Sequence, residues 1–475
     1  MRSSVRASFK EHGRRARFVA AETLNNFDPA SNFAETVLNK FLTGTVQRQK
    51  ATDLVYGTIR NRTIIDKVIA VLSDVPIDRI PEGILNVIRI AAYELIYCPQ
   101  TAVYAVVNEA VENTKVFSGK KVSSFVNAVL RRISAHIQQR QSPLSQSNPK
   151  RTLPQDQDFG CQFDIDLLPE PGERPTDYLS SAFSLPRWLV AEWLADSGFE
   201  KTLQICFASN RKPSIYLRTN VLKTTPKKLS EKLKEAGIEF QIVESTMIKV
   251  KSPKNVTALP GFSEGQFSVQ DLASAIPVKL IKPQAGWRIL DMCAAPGTKT
   301  TQLAELTGDL STIVATDIDP VRLGLVKDNI KRLGLNSINV IEYSDLQKIT
   351  ERGEKFDIVL LDVPCSNTGV LARRPEVRFR IKKKALEKIS NTQLQLLQNS
   401  AGLVKESGKI CYSTCSIQKE ENDLLVRKFL QNNNSFRLET EQLTLPYAGL
   451  SRRGLSEAGR LDFDGGFTAI LTRIA

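Results

Sequence analysis

The chain of 475 residues is 41% hydrophobic and too long for one ordinary core, which predicts two or three globular domains. It has no run of about 18 uncharged apolar residues and no apolar signal region after Met1, so the chain is expected to be cytoplasmic, without a transmembrane helix and with reduced thiols. The net charge of +14 points to an anionic partner, while two histidines (His12, His136) and seven cysteines without a C-x-x-C pair argue against zinc and histidine-based acid–base chemistry.

In chain order, a first domain is set at 1–138, and residues 14–138 read as all-helical. Ile84, Val87, Ile88, Ala91 and Leu95 recur at helical spacing, as do Val103, Val106, Val107, Ala110 and Val111, then Phe125, Val126, Val129 and Ile133. These stripes predict a helix-bundle core, and Arg14, Arg15, Arg17, Arg60 and Arg62 are surface candidates for phosphate. Residues 139–180, rich in Gln, Ser, Pro and Asp, are expected to be a partly disordered linker. They carry net −3, against +7 before them and +10 after. Residues 181–264 mix a helix opening at Pro186, strands at 214–218 and 240–243, and a helix at 225–236. That mixture predicts a small α+β subdomain suited to gripping RNA. From 265 to 475, strands predicted at 287–292, 312–316, 339–342, 356–361, 409–413 and 467–472 alternate with helical segments, the pattern of a doubly wound parallel sheet.

The third part is organised around Asp291-Met292-Cys293-Ala294-Ala295-Pro296-Gly297-Thr298-Lys299-Thr300, a strand that breaks at small residues before a helix. Such a turn exposes backbone N–H groups to a nucleotide-like cofactor at the carboxyl edge of the sheet. The spacing G-x-G-x-x-G is absent, which disfavours NAD and FAD. Asp291, Asp317, Asp345 and Asp362 follow the first four strands, and an acid after the second is placed to accept from ribose hydroxyls. Asp319, before Pro320, reads as a helix cap.

Two cysteines follow the fourth and fifth strands, in Asp362-Val363-Pro364-Cys365-Ser366-Asn367-Thr368-Gly369 and in Tyr412-Ser413-Thr414-Cys415-Ser416-Ile417, the latter leading to Glu420-Glu421-Asn422. Cys98, Cys161, Cys206 and Cys411 read as small buried hydrophobes, and Cys293 as a packing residue of the turn. A thiolate is what methylation at a pyrimidine carbon needs. Its addition to cytosine C6 breaks aromaticity and makes C5 an enamine carbon able to attack an electrophilic methyl. A nearby carboxyl can bond the polar edge of the base and favour the addition.

These motifs resemble the bacterial 16S rRNA cytosine-C5 methyltransferases of the RsmB (Fmu/Sun) type over nearly the whole chain apart from 139–180. The N-terminal part resembles their NusB-like domain, notably in Asp53-Leu54-Val55-Tyr56-Gly57-Thr58-Ile59-Arg60 and Phe125-Val126-Asn127-Ala128-Val129-Leu130-Arg131-Arg132. The resemblance implies a multidomain fold: an all-α NusB-like helical domain, a small α+β subdomain, and an α/β Rossmann-like class I methyltransferase domain. It implies Cys415 as nucleophile, Cys365 in product release and Asp362 on the base. It further implies S-adenosylmethionine, with no metal, held by Cys293, Ala294, Ala295, Pro296, Gly297, Thr298, Lys299, Asp317, Asp345 and Asp362. DNA cytosine methyltransferases use the cysteine of their Pro-Cys motif, which keeps Cys365 a competitor for the nucleophile. The family usually has Gly where Thr298 and Asn367 stand and Trp where Phe379 stands; Thr298 would weaken cofactor binding if that position required a positive φ. The basic run from Ala372 to Lys384 is expected to meet RNA through Arg373, Arg374, Arg378, Phe379 and Arg380. The partner implied is 16S rRNA, at the family's cytosine 967, or a small-subunit assembly intermediate, bound by a monomer. The same chemistry on tRNA and a non-catalytic RNA-binding or transcription factor are the alternatives, the second disfavoured by intact Cys415, Cys365 and Asp362.

Overall fold

Residues 15–43, 45–251, 255–449 and 461–474 are described by a computed structural model, in which the chain forms two compact units. The first comprises Met1–Lys212, Leu371–Arg380 and Ala448–Leu461; the second comprises Pro213–Val370, Ile381–Tyr447 and Asp462–Ala475. No helix among the described residues is long and apolar enough to cross a membrane.

Among the described residues, the first unit has seven helices up to His136: α1 (Ala16–Asn25), α2 (Ala34–Phe41), α3 (Arg48–Arg60), α4 (Arg62–Leu72), α5 (Glu82–Tyr97), α6 (Val103–Ser118) and α7 (Lys120–His136). Helix α5 is apolar around most of its circumference, and Ile84, Leu85, Val87, Ile88, Ile90, Leu95 and Ile96 are all buried, so it is the axis of the bundle. The stripes predicted from sequence fall on α5, α6 and α7.

The expectation of a disordered linker at 139–180 is corrected. Strands β1 (Ile137–Pro143), β2 (Thr152–Pro154) and β3 (Phe159–Phe163) form an antiparallel sheet in the order β1-β3-β2. Burial of Leu153, Cys161 and Phe163 supports it, and Arg140 donates to the carbonyls of Glu94, Leu95, Cys98 and Thr101 at 2.5–2.9 Å, capping the C-terminal end of α5. The unit continues through α8 (Pro175–Phe183) and α9 (Arg187–Asn210) to Lys212.

The expected phosphate-facing arginines of this unit are mostly internal. Arg17 is buried between Glu94 and Glu109, and Arg60 is buried with its guanidinium on the Ala372 carbonyl. Arg62 is half-buried beside Glu82 and Asp66. Arg15 is exposed, and Arg14 lies outside the described residues.

In the second unit, β4 (Ile215–Thr219), helix α10 (Pro226–Glu235), β5 (Phe240–Ile242), β6 (Met247–Val250) and β7 (Phe267–Val269) make an antiparallel sheet in the order β5-β6-β4-β7 with one covering helix. Thr225 caps α10 by accepting from the Lys228 N–H. Next come α11 (Leu272–Ile281), β8 (Arg288–Asp291), α12 (Thr298–Leu306), β9 (Thr312–Ala315), α13 (Pro320–Leu333), β10 (Ile338–Val340), α14 (Leu346–Glu351), β11 (Phe356–Asp362), α15 (Lys383–Ala401), β12 (Val404–Thr414), α16 (Asp423–Gln431), β13 (Phe436–Thr444) and β14 (Gly466–Arg473). Their sheet runs β10-β9-β8-β11-β12-β14-β13, with β10 to β12 mutually parallel and β14 antiparallel to both neighbours. Side chains alternate between two cores: Leu290, Val359, Leu361, Ile410 and Tyr412 lie in one, Ile289, Ile358, Leu360 and Cys411 in the other. Strand order reverses between β8 and β11, which opens a crevice at their carboxyl ends. The predicted strands all form. Strand β13 was not foreseen, because Arg437, Leu438 and Glu439 are exposed on this edge and give no apolar run.

Candidate active site

Strand β8 delivers Asp291 to the crevice, and the following turn closes on its own backbone. The Gly297 N–H donates to the Ala294 carbonyl at 2.6 Å, and the Ala294 N–H to the Thr316 carbonyl at 3.0 Å. Gly297 has φ 97°, and a Cβ there would stand 3.2 Å from Val326, so both conformation and space select glycine. The positive φ falls on Gly297, while Thr298 simply begins α12; the penalty expected for Thr298 does not arise. Arg218 of β4 anchors that first turn from below. It donates to the Thr298 carbonyl at 2.8 Å and pairs with Glu305 at 2.8 Å, both side chains being 3% exposed.

The four edge acids have different surroundings. Asp291 is buried; Thr300 donates to its Oδ2 at 2.7 Å, while Oδ1 has no hydrogen-bond partner. Burial, reinforced by the charge of Asp362, pushes its carboxyl up to about 7. Asp317 accepts from the Ala295 and Asp319 N–H groups, each at 3.1 Å, which fixes it against the turn. Beside it Ile318 and Val321 are 81% and 82% exposed, an unusual apolar display. Asp362 ends β11 and pairs with Lys299 at 2.6 Å. Burial works against the Lys299 charge, but Asp362 outweighs it and the ammonium is held above its ordinary value, close enough to Cys415 for their charges to interact. Asp345 stands apart, half-exposed and paired with Lys348 at 2.7 Å.

Parallel pairing sets Asp362 level with Ser413, so the loops after β11 and β12 leave the sheet side by side. The Cys365 and Cys415 sulfurs lie 2.8 Å apart as free thiols. Its hydrogen bond with Cys415, followed by burial, pushes the Cys365 thiol well up. Asn367 has φ 62°, a conformation natural to glycine that asparagine tolerates. Its Nδ2 donates to the Cys365 carbonyl at 2.9 Å, and its Oδ1 accepts from the Cys415 thiol at 3.3 Å. Burial pushes the thiols of Cys293 and Cys411 up.

Sequence reasoning missed the role of Glu421. Its fully buried carboxylate lies beneath both cysteine loops, accepting from the Ser366 N–H at 2.8 Å and from the hydroxyls of Ser366 and Ser416. The only signal was an acid in Glu420-Glu421-Asn422-Asp423, which reads as the solvated start of a helix.

Residues 372–380 of the basic run belong to the first unit, and there one expectation is overturned. Arg378 is 3% exposed in the helical turn Val377–Arg380, and it donates to the carbonyls of Arg60, Phe183 and Ser209 and to Asn210 Oδ1. Its Nη groups are bonded inside the protein and its Nε is buried, so it does not face RNA. Phe379 is half-buried with Arg62 5.9 Å from its ring. Arg374 and Arg380 are half-exposed and lie over Phe33 at 5.2 and 4.4 Å; Arg373 is also half-exposed.

The sheet order, the glycine turn and the acids at the switch point define a Rossmann-like methyltransferase domain. Family models match in three places: NusB at residues 14–135, the ferredoxin-like domain of RsmF/B-like methyltransferases at 185–257, and 16S rRNA methyltransferase RsmB/F at 278–453. The chain is 31% identical to a probable ribosomal RNA small subunit methyltransferase B of Synechocystis, over 91% of this chain and 92% of that protein. It is 30% identical to the ribosomal RNA small subunit methyltransferase B of Vibrio cholerae, over 81% of this chain and 82% of the relative. Among solved structures it is similar to PH0851, with a TM-score of 0.71 and 26% identity over 97% of this chain and 98% of the other. The chain belongs to the RsmB/F family of 16S rRNA methyltransferases, with a NusB domain at its N-terminus.

Proposed function

We propose that the chain forms 5-methylcytosine in small-subunit rRNA, at the position equivalent to the family's cytosine 967, through a transient bond between Cys415 and C6 of the base. The pair of thiols 2.8 Å apart beside the Lys299–Asp362 ion pair carries this reading. Cys415, as thiolate, adds to C6, and the Lys299–Asp362 pair bonds the polar edge of the base as electron density moves toward it. S-adenosylmethionine, when bound, supplies the electrophilic methyl group that C5 takes. The C5 proton then passes to solvent and the Cys415–C6 bond breaks, returning its electrons to sulfur. Cys365, kept protonated, donates to that sulfur and eases its departure.

The residues fit the cofactor. Asp317 keeps lone pairs for ribose hydroxyls, Ile318 and Val321 offer an apolar face for adenine, and the orphan Oδ1 of Asp291 has capacity for a donor or a cation. Residues Cys293 to Lys299 supply the turn around it, and Asp345 is the most peripheral of the proposed contacts. Arg373, Arg374 and Arg380 are proposed to meet RNA phosphate.

A denaturing gel for a protein–RNA adduct tests the reading, using unmethylated 16S rRNA, S-adenosylmethionine, the wild type and the Cys415→Ala and Cys365→Ala variants. A persistent adduct for Cys365→Ala and none for Cys415→Ala is expected. The reverse pattern exchanges the two roles. No adduct in any lane with cofactor binding intact points to another RNA, tRNA being the next to try.

A further inference from the structure

We propose that Glu421 is a positioning residue: its buried carboxylate clamps the loops carrying Cys365 and Cys415 and thereby sets the separation of the two sulfurs. Its catalytic consequence rests on the function proposed above; the clamp itself does not.

Glu421 closes the short 3-10 turn Lys419–Glu421 and is 0% exposed. Oε1 accepts from the Ser366 N–H at 2.8 Å and from Gln393 Nε2 at 3.0 Å, and Oε2 accepts from the hydroxyls of Ser366 and Ser416. Ser366 and Ser416 are the residues directly after the two cysteines. One carboxylate therefore holds the equivalent point of each loop. The two hydroxyls also lie 3.0 Å from each other, and Thr368 Oγ1 lies 3.0 Å from Ser416 Oγ and accepts from the Ile417 N–H at 3.1 Å. Gln393, from α15, additionally donates to the Pro364 carbonyl at 2.9 Å, which ties the residue before Cys365 into the same knot.

No Lys, Arg or His pairs with Glu421 among the described residues. A carboxylate buried without a cation is costly, and here neutral donors alone offset that cost. What it provides is acceptor capacity with no donor of its own, so four donors can converge on two oxygens without any being turned away. An amide at the same place would present an NH2 to one side of the cluster and force one pair of partners to reorient. Catalytic groups need to be held to about 0.5 Å, and shells of this type are what hold them.

The experiment uses the full chain without RNA or cofactor, equilibrated in mixtures of oxidised and reduced glutathione. Oxidised glutathione takes two electrons from Cys365 and Cys415 and becomes two reduced glutathiones, and the linked peptide is counted by mass spectrometry. The ratio at half-oxidation gives the effective concentration of one thiol at the other. Glu421→Ala is expected to lower it by at least about tenfold and Glu421→Gln by less. In parallel, single-turnover methyl transfer to unmethylated 16S rRNA should fall by roughly 100-fold for Glu421→Ala and recover in part for Glu421→Gln, with S-adenosylmethionine affinity unchanged. Where Glu421→Ala loses cooperative melting, Ser416→Ala removes a single arm and should shift both readouts in the same direction. Loss of transfer with an unchanged thiol equilibrium overturns the clamp, and a shifted equilibrium with unchanged transfer overturns its catalytic role. A wild type that transfers no methyl group to the RNA refutes the proposed function while the glutathione measurement still decides the clamp.

Discussion

Residues 362–370 and 371–380 adjoin in sequence, carry the chain's two most suggestive motifs, and use their buried charges in opposite ways. In the cysteine loops the buried charge is the Glu421 carboxylate, and it holds in place groups whose chemistry is otherwise uncommitted. In the arginine run the buried charge is the Arg378 guanidinium itself, and its Nη groups donate to three carbonyls and Asn210. A thiol after Pro or Thr at the end of a buried strand has few uses besides chemistry. An arginine has many, and only its surroundings select among them.

The sharpest way to test the comparison is to remove the chemical group on one side and the structural group on the other. Cys415→Ala should lower methyl transfer by at least about 10⁴-fold with no change in melting temperature, as expected when a nucleophile is removed from an intact site. Arg378→Ala should act in the opposite sense. It leaves four acceptors without a donor and a cavity behind them, for a loss of about 3 to 5 kcal/mol by denaturant unfolding of the unit that contains it. Arg374→Ala, half-exposed, should stay within about 0.5 kcal/mol while weakening RNA binding and flattening its salt dependence. Equal stability losses for the two arginines would remove the distinction.

Legibility followed the same division. The parallel strands were readable because burial on both faces makes them continuous apolar runs, as in Ile358-Val359-Leu360-Leu361. The place of Asp362 and the two cysteines at the sheet's carboxyl edge was readable because Asp362 ends such a strand and each cysteine stands within three residues of a strand end. Strands β1 to β3 were not, since Ile137-Gln138-Gln139-Arg140-Gln141-Ser142-Pro143 carries no alternation and is fixed largely by backbone pairing and by Arg140 on the end of α5. Glu421 was missed, and Arg17, Arg60 and Arg378 misjudged, for one reason: sequence shows a charge but not the donors and acceptors gathered around it.

A third test concerns Asp291, whose carboxyl is pushed by burial up to about 7. Because the folded value lies above the unfolded one, this carboxyl's contribution to stability is fully present below about pH 4 and is lost as pH rises through 7. Asp291→Asn abolishes the titration and keeps an acceptor for Thr300. The melting temperature of the variant relative to wild type should therefore rise between pH 4 and 7 and level off above, by at most on the order of 4 kcal/mol in stability. A difference independent of pH would mean that Asp291 keeps its charge in the fold, paired with a group the geometry does not show.

The smallest effect separates the two ways a loop can be held. Asn367 sits at φ 62° between the clamped Ser366 and Thr368, with its carboxamide on the Cys365 carbonyl and the Cys415 thiol. Asn367→Gly and Asn367→Ala lose the same side-chain bonds, so their difference isolates the backbone: alanine should be less stable than glycine by about 1 kcal/mol. Both variants should still form the adduct, within a few-fold of wild type, because Ser366 and Ser416 remain tied to Glu421. If alanine instead matches glycine in stability but slows adduct formation well beyond it, the loop has yielded its conformation to relieve strain, and residue 367 rather than the carboxylate beneath it sets the geometry at the sulfurs.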